Sequence, residues 1–550
     1  MIRKILKDKY KYITHSRPTE SVISAAFVIT VAGVASNFLG LIRDRLLAST
    51  FGAGDTLDVY YAAFRIPDLI YNLLILGALS AAFIPVFTGL KSHDKDDEAW
   101  KLTNGMVNLA ALSIIILSVV FAVFAPLLMH VITPGFPENK MGQVVLFTRI
   151  MFLSPLFLGI SGIMGGVLTS MKRFLIYSIA PLLYNLGIIT GIVLFVRLIG
   201  PIGLAWGVVF GAFMHMALQY LTVKHLGYDH RWDFVRSFKD KNVRRVARLM
   251  LPRMTGIAIN QFNLMVITIF ASTLAAGSLA IFNFSQNLQS VPLSVFGISF
   301  SIAVFPALSA FAAKGDKKNF VKSFSETFRQ ILFFVIPFSV FMLVLRAQIV
   351  RVVLGAGKFN WHDTILTFQC LGILVFSLFA QSAVQLLARA FYAMQDTKTP
   401  FYIAVVTEAV NILTVILLIN KVQILGLAIA FSLSSVVQML LLLFFLRSRF
   451  DNLDDKNIIK SVLRIALASF AAGLGIQGAK ILVASVVNLN TFLAVFAQLA
   501  ISSLVGFLIF VGISYALKLE ELMLFKESIA RKFFRGKQVI LESTDEVSGI

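Results

Sequence analysis

Between residues 36 and 87 two long apolar runs meet at a short turn, FGAG at 51–54, and inside them stand Arg43, Asp44, Arg45, Asp58, Arg65 and Asp68. Each ionisable group in a membrane-length segment costs roughly 2.5–3.5 kcal/mol on insertion scales, so it faces a partner or a wet path. A planar, five-donor guanidinium is the side chain that suits a phosphate or carboxylate. Consecutive helical positions diverge by about 100°, so Arg43, Asp44 and Arg45 do not share one face. Arg45 reads as a cation snorkelling to the interface. Arg43 reads in two ways: as an ion pair with Asp44 that locks its run to a neighbour such as Asp58, or as a binder of an anionic cargo. Arg65 precedes Ile66-Pro67, where the proline frees a carbonyl and bends the helix. Arg253 follows Pro252, either snorkelling or lining the same path. Asn260, Gln261, Asn263, Asn283, Ser285, Gln286, Asn287 and Gln289 crowd two later runs. Such amides suit sugar hydroxyls and peptide groups, or bond helix to helix. Arg389 reads as snorkelling, and Glu408 as an ion-pair partner or a proton or cation site.

Other chemistry finds no footing. There is no GxxxxGK[ST] phosphate loop, HExxH or GxSxG, and the seven histidines are scattered. Trp361–His362–Asp363 reads as a polar loop with an interfacial tryptophan. The single cysteine, Cys370, excludes an intramolecular disulfide. A net charge of +21 in a soluble protein would suggest nucleic acid. Here the basic residues fall in alternate loops, which is the pattern of a membrane protein.

The elements that must hold these residues are helices. The chain is 58% hydrophobic and 14% charged, with mean hydropathy +0.84, against about 25% charge in soluble proteins. About fourteen apolar runs are long enough to cross a bilayer, and their continuity excludes a barrel. Loop charges alternate along the chain and place both termini in the cytoplasm. The expected divisions are a basic N-terminus at 1–21, a six-helix lobe at 22–223, and a basic linker at 224–248. A second six-helix lobe at 249–446, a link at 447–460, two further helices at 461–517 and a tail at 518–550 follow. Run 2 resembles run 8, GALSAAFIP at 77–85 against GISFSIAVFP at 297–306, which suggests a parallel duplication of the kind transporters use.

SNFLGLIRD with FGAG and LDVYYAAFRIPDLIYNLLILGALSAAFIPVF (36–87), MLPRMTGIAINQFNLMVITIFASTLAAGS (250–278) and LLARAFYAMQDTKTP (386–400) together resemble the bacterial lipid II flippase family, MurJ. The resemblance covers nearly the whole chain. It implies the multidrug/oligosaccharidyl-lipid/polysaccharide exporter fold: an all-α polytopic membrane protein with two pseudo-symmetric six-helix lobes, a cationic cavity, and two C-terminal helices forming a groove for the lipid tail. By position Arg43, Asp44, Asp58 and Ser36 match family residues. Asn37, Tyr71–Asn72 and Asn287 stand where the family often has arginine. Either Arg65 and Arg253 substitute, or the head group is gripped by fewer charges and more amides, or the cargo differs.

The function expected is therefore a flippase without an ATP site. It would carry lipid II, an undecaprenyl-pyrophosphate-linked peptidoglycan precursor, across the bacterial inner membrane by alternating access. Coupling to membrane potential or a monovalent ion would drive it, with no cofactor and no nucleic acid. Its partners would be membrane lipids and the cell-wall synthesis machinery. The substrate-binding set is Arg43, Asp44, Asp58, Arg65, Ser36, Asn37, Arg253, Asn260, Gln261 and Asn287. The alternatives are a polysaccharide-repeat flippase or other exporter of this fold, and, in another class, a polyprenyl-linked glycosyltransferase, which would need larger external loops than these.

Overall fold

The computed structural model describes residues 22–76, 83–450, 452–524 and 526, with no side chain described at 22–27, 75–76, 235–236 or 251–260. Among the described residues every regular element is helical. Among the described residues nine stretches are long and apolar enough to cross a membrane, or ten when Trp361–Phe376 and Leu378–Ala393, bent by 44°, count as one span. The fourteen expected crossings fit this arrangement: the stretch Phe174–His225 itself holds two helices, Phe174–Thr190 and Gly203–His225. Large apolar side chains such as Leu198, Phe376, Leu482 and Leu493 point outward, which in water would be an aggregation hazard and in lipid is the solvated state.

The second crossing is broken where its charges lie. Helix Asp55–Ala63 ends at Phe64, helix Arg65–Tyr71 follows, and a π-helical turn, Asn72–Leu76, continues it. The break falls before Arg65 rather than at Pro67. Proline fits the first turn of a new helix, where its missing N–H is not needed, and Asp68 N–H closes that turn on Phe64 O at 2.8 Å. Further π turns lie at Gly191–Phe195 and, in run 8, at Leu293–Ile298. The two stretches matched in the sequence thus adjoin or contain the same irregularity.

Contacts divide the chain into two units. One holds the described residues up to Phe284 with Val353–Asp363 and Leu418–Leu427; the other holds Ser285–Val352, Thr364–Leu417 and the described residues from Ala428 on. In the first, helices Phe174–Thr190 and Gly203–His225 meet along a glycine seam. A Cβ on Gly187 would lie 2.2 Å from the Gly211 Cα, and one on Gly191 2.5 Å from that of Gly207, so only small residues permit this approach. In the second, helix Lys317–Val344 packs through Phe333 on Ile465, Ala468 and Ala472 of helix Asp455–Val486 and on Phe510 of helix Phe492–Ala516. The link expected at 447–460 is largely helical, since Ile424–Phe450 and Asp455–Val486 reach into it from both sides.

The MQDTKTP stretch has a local explanation. Asp396 accepts the Lys398 and Thr399 backbone N–H groups, both at 3.0 Å, and so caps helix Lys398–Val422. Arg449 pairs with it. Burial pushes the Asp396 carboxyl up, but the Thr399 hydrogen bonds and Arg449 outweigh it and hold the group below the ordinary 3.8. A depressed carboxyl stabilises above its unfolded value and loses that contribution as pH falls through the folded one. Asp396→Asn keeps the cap acceptor but loses the charge that faces Arg449 and the helix N-terminus, and should therefore cost about 0.5–1 kcal/mol at neutral pH. The difference from wild type should shrink below pH 4, read as thermal midpoint against pH.

Candidate functional site

The charges of the first two crossings form three clusters, all within the first unit. Arg43 folds back along its helix, donating Nε and Nη2 to Asp44 Oδ1 at 3.0 and 2.9 Å, and Nη1 to Asn185 Oδ1 at 3.1 Å. Asn185 Nδ2 in turn donates to the Ser36 carbonyl and hydroxyl oxygens, both at 3.3 Å. The Asp44 side chain is 3% exposed and that of Arg43 22%. Arg43 is thus oriented by a buried carboxylate and an amide, with two of its five N–H donors left over among the described residues.

Arg65 is 8% exposed. Its Nε donates to Thr268 Oγ1 at 2.6 Å and its Nη2 to Asn283 Oδ1 at 3.4 Å. Asp68, one turn on, lies close enough to feel its charge. Tyr61 lies within electrostatic reach of Asp44, Arg43 and Arg65. Its hydroxyl is buried and has no hydrogen-bond partner among the described residues. A buried phenol normally finds one.

Asp58 has a different office from the one expected. It does not meet Arg43. Its Oδ2 accepts Lys140 Nζ at 3.0 Å and Gly277 N–H at 2.8 Å, and its Oδ1 accepts Ala280 N–H at 3.0 Å. It therefore caps, from another segment, the helix that begins at Ser278. Lys140 also binds Asp55 at 2.8 Å and lies 4.0 Å from the Phe136 ring centre. Nearby turns interlock: Lys358 N–H donates to Ser49 O, Asp363 accepts Ala53 N–H, and Gly135 N–H donates to Ser272 Oγ. Asp363 is buried in this clasp, so it is a structural carboxylate of the turns. Gly277 has φ +88°, and a Cβ there would lie 2.1 Å from Ala53 O. Gly277→Ala should cost about 1–3 kcal/mol in strain, seen as a lowered thermal midpoint with the helix content unchanged.

Of the remaining expected residues, Asn37 is exposed and Gln261 half-buried in the first unit, and Asn287 is half-buried in the second. The side chains of Arg253 and Asn260 lie outside the described residues. Arg45 donates to Val353 O at 3.4 Å, and Arg389 to Gln385 O of its own helix. Sequence reasoning missed Lys140, Thr268 and the pairing role of Asn185. The one signal for Lys140 was that it is the only lysine in its loop.

An inward-facing multidrug transporter of the MATE family, in the MOP superfamily, superposes with a TM-score of 0.66 at 11% identity, covering 76% of this chain and 96% of that one. The fold is therefore that of the MOP exporters, and its long apolar helices make the protein a multi-pass membrane protein. The family model described as "Lipid II flippase MurJ" matches residues 47–500. A probable lipid II flippase MurJ of Bdellovibrio bacteriovorus is 28% identical over 516 residues, 92% of this chain and 97% of its own. A structure titled "Lipid II flippase MurJ, inward closed conformation" superposes with a TM-score of 0.73 at 23% identity, covering 89% of this chain and 99% of that one. The chain belongs to the lipid II flippase MurJ family.

Proposed function

We propose that this protein carries lipid II, the lipid-linked peptidoglycan precursor, from the inner to the outer leaflet of the bacterial cytoplasmic membrane, with both termini in the cytoplasm. One observation supports this reading most: among the described residues Arg43 and Arg65, on the first two crossings, each keep N–H donors beyond those bound to Asp44, Asn185, Thr268 and Asn283. A pyrophosphate offers oxygens to such donors, and two guanidiniums suit its charge. Arg43, oriented by Asp44, Asn185 and Ser36, and Arg65, oriented by Thr268 and Asn283, are assigned to the pyrophosphate. Asn37, Arg253, Asn260, Gln261 and Asn287 are assigned to the sugars and peptide. Asp58 is assigned to holding the Ser278 helix end, and acts on cargo only through it. The polyprenyl tail runs along helices Asp455–Val486 and Phe492–Ala516 over the outward Leu463, Leu467, Leu504 and Leu508. Alternating access is driven by membrane potential or a monovalent ion, since the sequence has no ATP-binding motif, and the cargo passes to the cell-wall synthesis machinery.

The second reading is a flippase for undecaprenyl-linked polysaccharide repeats, favoured by Asn37, Tyr71 and Asn287 at positions where the family often has arginine. Native mass spectrometry of the purified protein separates the two. Lipid II should be retained over an undecaprenyl-pyrophosphate oligosaccharide without peptide, and Arg65→Gln should weaken retention about tenfold or more, the worth of a charge-assisted hydrogen bond. Preference for the peptide-free lipid would favour the second reading.

A further inference from the structure

At the end of helix Lys317–Val344, in the second unit, stand two cations that no carboxylate among the described residues neutralises. Arg346 donates Nη1 to Leu343 O at 2.6 Å, and its guanidinium lies 5.8 Å from the Phe368 ring centre. Gly372 leaves room for its stem, since a Cβ there would come within 3.1 Å of the Arg346 Cδ. Lys480, from helix Asp455–Val486, donates Nζ to Val344 O at 3.2 Å and lies close enough to Arg346 for the two charges to repel. Both therefore rest on the last carbonyls of one helix, the negative end of its dipole. That accounts for one hydrogen bond each and leaves most of their donors unused. Arg43, Lys140, Arg329 and Arg449 each have a carboxylate partner. Among the described residues Arg346 and Lys480 have none.

Their surroundings are built. Gln348 Nε2 donates to Gln498 Oε1 at 3.0 Å, and Gln498 Nε2 donates to Lys480 O at 2.8 Å. This chain of amides fixes the backbone that carries both cations. It leaves Gln348 Oε1 buried without a hydrogen-bond partner among the described residues. Outside it, Ile481, Leu482, Val486, Phe492 and Leu493 are exposed. A cation pair set into an apolar, lipid-facing surface needs an anion that can itself reside in lipid.

We propose that this is a binding site for the head group of an anionic glycerophospholipid. The phosphate rests on Arg346 and Lys480, relieving their mutual repulsion. A head-group hydroxyl donates to Gln348 Oε1, and the acyl chains lie on the flanking leucines and phenylalanine. Free phosphate would leave the apolar flank uncovered, and a polyprenyl pyrophosphate brings no hydroxyl beside its charge. The inference does not rest on the identity of the transported cargo.

The test is native mass spectrometry of the full-length protein released from detergent, titrated with palmitoyl-oleoyl phosphatidylglycerol, the phosphatidylcholine of the same chains, undecaprenyl pyrophosphate, and inorganic phosphate. Wild type should hold one phosphatidylglycerol more tightly than any phosphatidylcholine. Affinity for it should fall about fivefold for each cation neutralised in R346Q and K480Q. R346K should retain it. The control R197Q/K421Q, which removes the same charge from two exposed positions, should leave it unchanged. Equal retention by wild type and R346Q/K480Q would overturn the site. So would an equal loss in the control, or a loss confined to undecaprenyl pyrophosphate or to inorganic phosphate.

Discussion

Replacing Arg43 by alanine should abolish growth when the variant is the only flippase in a strain depleted of its own. The expectation follows from how Arg43 is held. Asp44, 3% exposed, and Asn185 orient the guanidinium while its side chain stays 22% exposed, so it is arranged to meet something beyond its partners. Alanine also takes the guanidinium away from the buried Asp44 carboxylate, and breaking a buried pair from one side costs up to about 3–5 kcal/mol. Lost growth alone would therefore confuse binding with folding. Arg43→Ala/Asp44→Asn removes both charges of the pair together. It should reach wild-type levels in the membrane and still fail to support growth. Arg43→Lys keeps the charge without the planar fork and should grow weakly. Normal growth of the double variant at full expression would remove Arg43 from the transport site.

The second large effect belongs to Asp58. Its two oxygens hold Lys140 Nζ and the N–H groups of Gly277 and Ala280. Asp58→Ala uncaps a helix and leaves the Lys140 ammonium, 8% exposed, with only Asp55. The expected cost is about 3–5 kcal/mol, measured as a fall in the thermal midpoint by the fluorescence of the four tryptophans. Asp58→Ala/Lys140→Ala should recover part of it, since the double variant buries no lone charge, with a coupling of about 1–3 kcal/mol. Strict additivity would show that the two side chains do not act as a pair. Asp58→Asn keeps an acceptor for one N–H and should fall between.

The sequence is explicit about the crossings, because a run of some twenty apolar residues has few uses outside a bilayer. The same runs carry the resemblance that names the family. Side-chain pairing within them was less legible. Arg43 and Asn185 are 142 residues apart, and no local pattern joins them. The 100° rule separated Arg43 from Asp44 by Cβ direction, whereas a long guanidinium bends back to its neighbour. Lys140 drew no reading from the sequence, yet its loop folds over Asp58 and its ammonium binds that carboxylate. Pro67 correctly marked a break in the second crossing, but the fold uses it to begin a helix, which moves the break to Phe64. The π turns at Asn72–Leu76 and Leu293–Ile298 have no sequence signature that helix propensity could supply, since they insert one residue without changing composition.

The most direct measurement is the exposure of lipid II on the outer face of cells that depend on this protein. Cells depleted of their own flippase and carrying this gene are treated with an enzyme that cleaves lipid II only from outside, and the cleaved fraction is measured. Wild type should restore cleavage to the level of undepleted cells, and Arg43→Ala/Asp44→Asn, present in equal amount, should leave lipid II protected. Cleavage restored equally by both, or by neither, would contradict an arginine-lined path for this lipid.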